Sequence, residues 1–189
     1  IEVITTDLPT GDYRHAIFDF DGTLSLIREG WRGIMVPMMV DTLLELGTDE
    51  TEEQLRAVVS DFVDALTGQQ TIYQMIRLCE EISSRGGLPE DPIEYKEIYH
   101  KQLLAHIESR IDGLKSRRIA PDDLLVPDSR RLLQSLTNRG LVLYLASGTD
   151  HAYVVQEAEL LGVAKCFGDR IFGALDNYKD FSKAKLIRQ

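Results

Sequence analysis

Two aspartates close together at the end of an apolar run are the residues in this sequence best suited to chemistry. Asp19 and Asp21 follow the apolar residues 16–18, and Gly22 comes directly after them. A short apolar run bounded by a glycine predicts a buried strand that ends in a turn. A buried carboxylate is costly unless it is paired, hydrogen-bonded or bound to a metal. Because open parallel sheets bind ligands at the carboxyl ends of their strands, this pair predicts a reactive site rather than a solvated acidic turn.

A second candidate site follows another apolar run later in the chain. Residues 141–146 are almost continuously apolar, which predicts a strand of a buried parallel sheet, and Ser147 and Gly148 come next. A helical pattern begins directly afterwards. A hydroxyl and free backbone N–H groups at the start of a helix favour the binding of a phosphate-like anion. The alternative is an ordinary strand-to-helix turn with Thr149 or Asp150 as the helix N-cap.

The secondary structure that must position these two sites changes along the chain from strand to helix and back. Residues 24–120 show helical periodicity with no clear strand, whereas apolar strands lie on either side. Thr51 is predicted to cap one helix and Gly140 to end another. The predicted elements are strands at 15–20, 141–146 and 167–172, and helices at 31–46, from 51, and at 70–83, 92–113, 130–139 and 151–161. The sequence therefore predicts an α/β protein: a Rossmann-like parallel sheet core from residues 1–23 and 121–189, with an inserted all-helical cap, residues 24–120.

Composition and charge restrict the class of protein to which this chain can belong. Its 189 residues are 43% hydrophobic and 28% charged, which is typical of a globular protein. A net charge of −10 offers no basic surface to nucleic acid or to an anionic membrane. No apolar run has membrane-spanning length, and the first residues lack the pattern of a signal peptide. Cys79 and Cys166 indicate neither a disulfide framework nor a zinc site. These features predict a cytoplasmic enzyme.

The segment DFDGT at residues 19–23 resembles, residue for residue, the first motif of the haloacid dehalogenase (HAD) superfamily of phosphatases and phosphomutases. The strand that ends in LASGT resembles the second motif. The inserted helices resemble the C1 cap of members of the phosphoglycolate phosphatase and β-phosphoglucomutase type. The resemblance implies that Asp19 is the nucleophile, that Asp21 is the general acid and base, and that Mg²⁺ is bound beside both. It also implies a phosphate site made of groups from both motifs: Ser147, Gly148 and Thr23.

The remaining two motifs of the superfamily are matched weakly or not at all. The third motif is a lysine near a helix start. Lys183 is our candidate because Ser182 is a suitable N-cap, and Lys179 is the alternative. The fourth motif is a pair of acids after a further strand, and no such pair follows Lys183. We therefore expect either a piece of a longer protein or a member that has lost part of its metal site. If the strand is absent, we expect weak or no Mg²⁺ affinity.

The second aspartate also bears on the reaction. Hydrolysis of a phosphate ester needs an acid to protonate the leaving alcohol, so Asp21 favours a phosphatase that acts on a small phosphorylated metabolite, such as a sugar phosphate or a phosphoglycolate-like acid. A phosphomutase shares every motif present, and a catalytically incomplete binding or regulatory domain is a further alternative. Arg28, Trp31 and Arg32 are candidates for substrate specificity. Their alternative is a solvated helix face with a packing tryptophan. The oligomeric state is left open.

Overall fold

Parallel strands form the sheet on which the candidate site is built. The computed structural model describes residues 12–175. In this part of the chain, β1 (His15–Phe18) pairs with β2 (Val142–Asp150), and β2 pairs with β3 (Ile171–Ala174), all in parallel. The carboxyl ends of β1 and β2 therefore lie at the same edge of the sheet. This confirms the predicted α/β class with a Rossmann-like parallel sheet.

Helices fill the chain between β1 and β2, as the sequence predicts, and we call the following four the helical cap. They are α1 (Arg32–Leu44), α2 (Glu52–Ala65), α3 (Thr71–Ser84) and α4 (Pro92–Lys115). Pro37 lies inside α1 and does not start this helix. The domain limits after residues 23 and 120 stay a prediction.

The start of α2 shows how local sequence sets an element of the cap. The hydroxyl of Thr51 accepts a hydrogen bond from the backbone N–H of Gln54, at 3.3 Å. The side-chain oxygen of Gln54 in turn accepts from the backbone N–H of Thr51, at 2.8 Å. This reciprocal capping box satisfies two N–H groups that a helix start otherwise leaves unpaired. It confirms the prediction that Thr51 is the N-cap.

The elements around β2 confirm part of the prediction and correct the rest. Helix α5 (Ser129–Asn138) is followed by Gly140, whose φ of +82° favours glycine. The strand β2 runs four residues beyond the predicted end at 146, because Asp150 still pairs with β3. Helix α6 (His151–Leu160) follows β2, and α7 (Ala164–Phe167) precedes β3. The predicted strand at 167–172 is thus wrong in its first half, where Gly168, at a φ of +61°, turns the chain.

One apolar core joins the sheet to the cap. Phe20, Leu24 and Ile27, in the connection from β1 to the cap, have side chains that are at most 1% exposed. Each such side chain contributes about 1.5–3 kcal/mol by burial. The two connections between sheet and cap also bind each other, because Val126 N–H donates to Leu24 O at 2.9 Å and Leu26 N–H donates to Leu124 O at 2.9 Å.

No helix among residues 12–175 has both the length and the apolar character needed to cross a membrane.

Candidate active site

The turn after β1 presents the two aspartates of the first candidate site. The buried Phe20 lies between them, and its backbone oxygen accepts hydrogen bonds from the N–H groups of Leu24 and Ser25, each at 2.9 Å. The turn requires a φ of +73° at Gly22, a value that favours glycine. Asp19 and Asp21 therefore lie at the carboxyl end of β1, where parallel sheets bind ligands.

The end of β2 reaches the same point and binds Asp21 directly. The hydroxyls of Ser147 and Thr149 both donate to Asp21 Oδ2, at 3.1 and 2.9 Å. Ser147 Oγ also accepts from the backbone N–H of Thr149, at 3.0 Å. The two candidate sites, far apart in the sequence, thus form one site. The sequence analysis considered Thr149 only as a helix cap. The signal that could have found it is its spacing of two from Ser147, which places both side chains on one face of a strand.

Arg28, one of the predicted specificity residues, lies inside this site in a buried ion pair. Its Nε and Nη2 atoms lie 3.0 and 2.7 Å from Glu157 Oε1, and the two side chains are only 5% and 2% exposed. The guanidinium is 5.3 Å from the ring centre of Tyr153, and Nε is 3.9 Å from Asp21 Oδ1. The sequence analysis missed Glu157, since a single glutamate in a helical pattern carries no signal of burial.

A cavity of about 100 Å³ lies between the cap and the ends of β1 and β2. Residues from the cap and from the connection before it line one side, and the strand ends line the other. It brings together six of the predicted site residues: Asp19, Asp21, Arg28, Trp31, Ser147 and Gly148. The structure therefore assembles most of the predicted site in one place.

Two of the predicted residues, Thr23 and Arg32, lie outside this cavity lining. Thr23 is exposed on the turn after β1, because the turn points its side chain to solvent. Arg32 is exposed on α1, where it forms two hydrogen bonds with Asp64 of α2, at 2.8 and 2.9 Å. The placement of Arg32 is the solvated helix face that the sequence analysis gave as the alternative. Lys183 and its alternative Lys179 lie outside the described residues.

The loop between α2 and α3 closes the cavity against the end of β2. A Cβ atom on Gly148 would lie 2.3 Å from the backbone oxygen of Gln69. Real Cβ atoms do not approach an oxygen so closely, so any other residue at 148 would push this loop away. The close approach gives a physical reason for glycine next to Ser147.

Comparison with protein-family models shows which family has this arrangement. The family described as "Hydrolase: haloacid dehalogenase-like hydrolase" matches residues 13–186. This chain belongs to the haloacid dehalogenase-like hydrolases. The match spans both strand ends of the site and the whole cap, and it confirms the resemblance of this chain to the HAD superfamily.

Solved structures of other proteins share this fold. A β-phosphoglucomutase from Clostridium difficile has 17% sequence identity and a TM-score of 0.58, over 90% of this chain and 64% of that chain. A predicted phosphoglycolate phosphatase from Haemophilus somnus 129PT has 15% identity and a TM-score of 0.50, over 87% of this chain and 64% of that chain. This HAD-like hydrolase thus spans 64% of the length of each, and the likeness concerns the fold. No curated protein matches the sequence.

The surroundings of Asp21 favour its protonated form. Burial raises the pKa of Asp21, and the nearby charge of Asp19 raises it further. The Arg28 charge and the hydrogen bonds from Thr149 and Ser147 act in the opposite direction. Its Oδ1 atom is buried and has no hydrogen-bond partner among residues 12–175. Asp21 is therefore an acid held in place through one oxygen, with its other oxygen available to a ligand or an ion.

The same two acids decide whether Mg²⁺ fits this site. Mg²⁺ is often bound through one or two carboxylates, while substrate phosphate and water supply its other ligands. Asp19 and Asp21 provide two carboxylates, and the buried Oδ1 of Asp21 lacks a hydrogen-bond partner in the described part of the chain. No three His, Cys, Asp or Glu side chains cluster around a possible metal position within residues 12–175. The described residues thus fit Mg²⁺ held by two carboxylates.

A polar contact beside the cavity joins α4 of the cap to Asp150, directly before α6. Lys96 Nζ lies 2.6 Å from Asp150 Oδ1, and His100 Nδ1 lies 3.7 Å from Asp150 Oδ2. Burial, together with the charges of Lys96 and Arg28, lowers the pKa of His100 to about 4, against the opposite effect of Asp150. His100 is therefore neutral at pH 7.

Acid should weaken the folded state through His100. Its pKa is near 6.5 in the unfolded chain and about 4 in the folded one, so the unfolded state gains the proton first as the pH falls through this window. We expect the parent to lose about 2 kcal/mol more stability between pH 7 and pH 4.5 than His100→Gln does. Urea unfolding at both pH values measures this difference. The exposed His151→Gln is the control and should follow the parent; equal pH dependence of parent and His100→Gln would contradict the prediction.

Proposed function

We propose that this HAD-like hydrolase is a Mg²⁺-dependent phosphatase that hydrolyses a small phosphomonoester through an aspartyl-phosphate on Asp19. The observation that carries the proposal is the position of Asp21. Its carboxyl group is held by Ser147 and Thr149 from a second strand and faces a cavity that also contains Asp19. A carboxylate nucleophile beside a second, positioned acid is the arrangement that two-step phosphoryl transfer requires.

In the first step, a carboxylate oxygen of Asp19 forms a bond to phosphorus while the bond from phosphorus to the ester oxygen breaks. Asp21 gives its proton to that leaving oxygen, which departs as an alcohol. Burial raises the pKa of Asp21, which favours the protonated form that this role needs. The product of this step is a mixed anhydride on Asp19 and an ionised Asp21.

In the second step, the ionised Asp21 accepts a proton from a water molecule as the water oxygen bonds to phosphorus. The bond from phosphorus to Asp19 breaks, which releases phosphate and restores the free carboxylate. The backbone N–H of Gly148 would bind a phosphate oxygen at the end of β2 throughout. The hydroxyl of Ser147 would do the same once it turns from Asp21, which the hydroxyl of Thr149 still holds. Mg²⁺ held by Asp19 and Asp21 would neutralise phosphate charge as the two anions approach.

The cap has a role in both steps. The Gln69 loop rests on Gly148, and Lys96 of α4 binds Asp150, so the cap would hold bulk water away from the reacting atoms. The cavity would then admit only a small substrate. A cytoplasmic location and the lack of nucleic-acid binding stay predictions from the sequence.

Removal of Mg²⁺ should stop the reaction. We expect phosphate release from an aryl phosphate to fall by about 100-fold or more after chelation with EDTA. Added Mg²⁺ should restore the rate, and Ca²⁺ should not, because its larger coordination shell fits the site less well. Colorimetric phosphate measurement provides the readout. A rate that EDTA leaves unchanged would contradict the metal requirement. Isomerisation of a sugar phosphate without phosphate release would identify a phosphomutase instead.

A further inference from the structure

The cavity contains buried polar groups that the proposed chemistry does not use. Gln74 of α3 and Tyr99 of α4 line it, and each is only 4% exposed. Neither the amide of Gln74 nor the hydroxyl of Tyr99 makes a hydrogen bond to another residue in the described range 12–175. An amide or hydroxyl that loses its water without gaining a new partner is unfavourable. These two groups therefore indicate a ligand that supplies hydrogen-bonding partners.

The charge of the cavity restricts what kind of ligand this is. Among the described residues that line it, Arg28 is the one cation. Its charge is matched by Glu157, which binds the guanidinium at two of its nitrogens. Arg28 also lies beside Asp21, at the end of the cavity where the transferred phosphate would bind. No unmatched positive charge is left, in this part of the chain, to receive a second anionic group.

The nearest other basic groups do not change this balance. Lys96 is bound to Asp150 and does not line the cavity. His100 is buried between neighbouring groups, and its low pKa leaves it neutral. A carboxylate or a second phosphate near Gln74 would therefore be desolvated without a counter-charge, which is unfavourable.

Apolar and aromatic groups complete the lining. Trp31, Met35 and Leu103 face the same cavity as Gln74 and Tyr99. A flat aromatic ring together with hydrogen-bonding side chains suits a carbon skeleton that carries hydroxyls, because the C–H faces pack on the apolar groups while the hydroxyls bind the polar ones. The lining thus matches a neutral polyol or sugar.

We propose that the substrate is a monophosphate ester whose alcohol part is an uncharged polyol or sugar, bound by Gln74 and Tyr99, and that a carboxylate or second phosphate on that part is rejected. This inference rests on the proposed phosphatase function and narrows its substrate class. It favours sugar and polyol phosphates over the phosphoglycolate-like acids as substrates. The sequence analysis left this choice open.

A matched pair of three-carbon esters tests the proposal. Glycerol 3-phosphate and 3-phosphoglycerate differ in that a neutral hydroxymethyl group in one is a carboxylate in the other. With Mg²⁺ present, we expect kcat/KM to be about tenfold or more higher for glycerol 3-phosphate. Binding of both compounds to Asp19→Asn, measured by calorimetry with Mg²⁺, should show the same order. Fructose 6-phosphate against fructose 1,6-bisphosphate extends the test to a second phosphate.

Variants at Gln74 show whether this side chain sets the preference. Gln74→Leu should raise KM for glycerol 3-phosphate by about tenfold with a smaller change in kcat, because a hydrogen bond to the alcohol part is lost. Gln74→Lys should shift the preference toward 3-phosphoglycerate by about tenfold, because it adds a counter-charge. Gln102→Leu, the same exchange at an exposed position of α4, is the control and should leave KM unchanged.

The outcomes separate this inference from the proposed function. Equal use of the two esters, or preference for 3-phosphoglycerate, would overturn the inference while the phosphatase activity stands. Phosphate release from neither ester would count against the proposed function, and the calorimetric order would then decide the inference alone. Tighter binding of the acid, or binding of neither compound, would overturn it.

Discussion

Asp19→Asn should abolish phosphate release, with a fall in kcat/KM of about 10⁴-fold or more. An amide has no anionic oxygen to attack phosphorus, so the first step of the proposed reaction is lost rather than slowed. The substitution keeps the size of the side chain and the oxygen that accepts from the Phe20 N–H, at 2.9 Å. The fold should therefore be kept, and an unchanged urea-unfolding midpoint will show this.

A covalent readout distinguishes loss of the nucleophile from a general loss of activity. Acid-quenched parent protein should carry one added phosphoryl group in its intact mass, which hydroxylamine removes, and Asp19→Asn should carry none. Asp64→Asn, an identical exchange at the exposed ion pair with Arg32, is the control and should keep its activity within about twofold. Substantial phosphate release by Asp19→Asn would refute the nucleophilic role of Asp19.

Glu157→Gln should be among the most destabilising single substitutions of a charged residue in the described chain. It leaves the Arg28 charge, only 5% exposed, without its counter-ion, and breaking a buried ion pair in this way costs about 3–5 kcal/mol. Burial raises the pKa of Glu157 while Arg28 opposes the rise, so the pair depends on close mutual contact. Urea unfolding at pH 7 measures the loss.

Two further variants separate the effect of burial from that of geometry. Arg32 and Asp64 form a similarly short, two-point contact at the surface, and Asp64→Asn should change stability little, because water screens exposed pairs. The double variant Arg28→Met/Glu157→Leu should regain most of the stability that Glu157→Gln loses, because no buried charge remains unpaired. Equal losses for Glu157→Gln and Asp64→Asn would contradict this account.

Local signals were sufficient for most of the elements. Thr51 predicted a helix start because its hydroxyl can bind N–H groups two or three residues ahead, and Gly140 predicted a helix end because glycine adopts a positive φ without strain. The predicted strand at 167–172 failed in its first half, since Phe167 ends α7 and Gly168 turns the chain before β3 begins at Ile171. The extension of β2 to Asp150 depends on pairing with β3, which its own residues do not reveal.

The sequence alone determined the family, the α/β fold with an inserted helical cap, and the joining of Asp19 and Asp21 with Ser147, because these depend on short motifs and on strand ends that share one edge. Only the tertiary structure decided which polar side chains face the cavity. Thr149 binds Asp21 while Thr23 faces solvent, and Arg28 is buried against Glu157, 129 positions away, while Arg32 is exposed. Both threonines and both arginines look equally suitable in the sequence. Their roles differ because the packing of distant elements determines which side chains are buried. Burial in turn determines how strongly a charged side chain interacts with its neighbours.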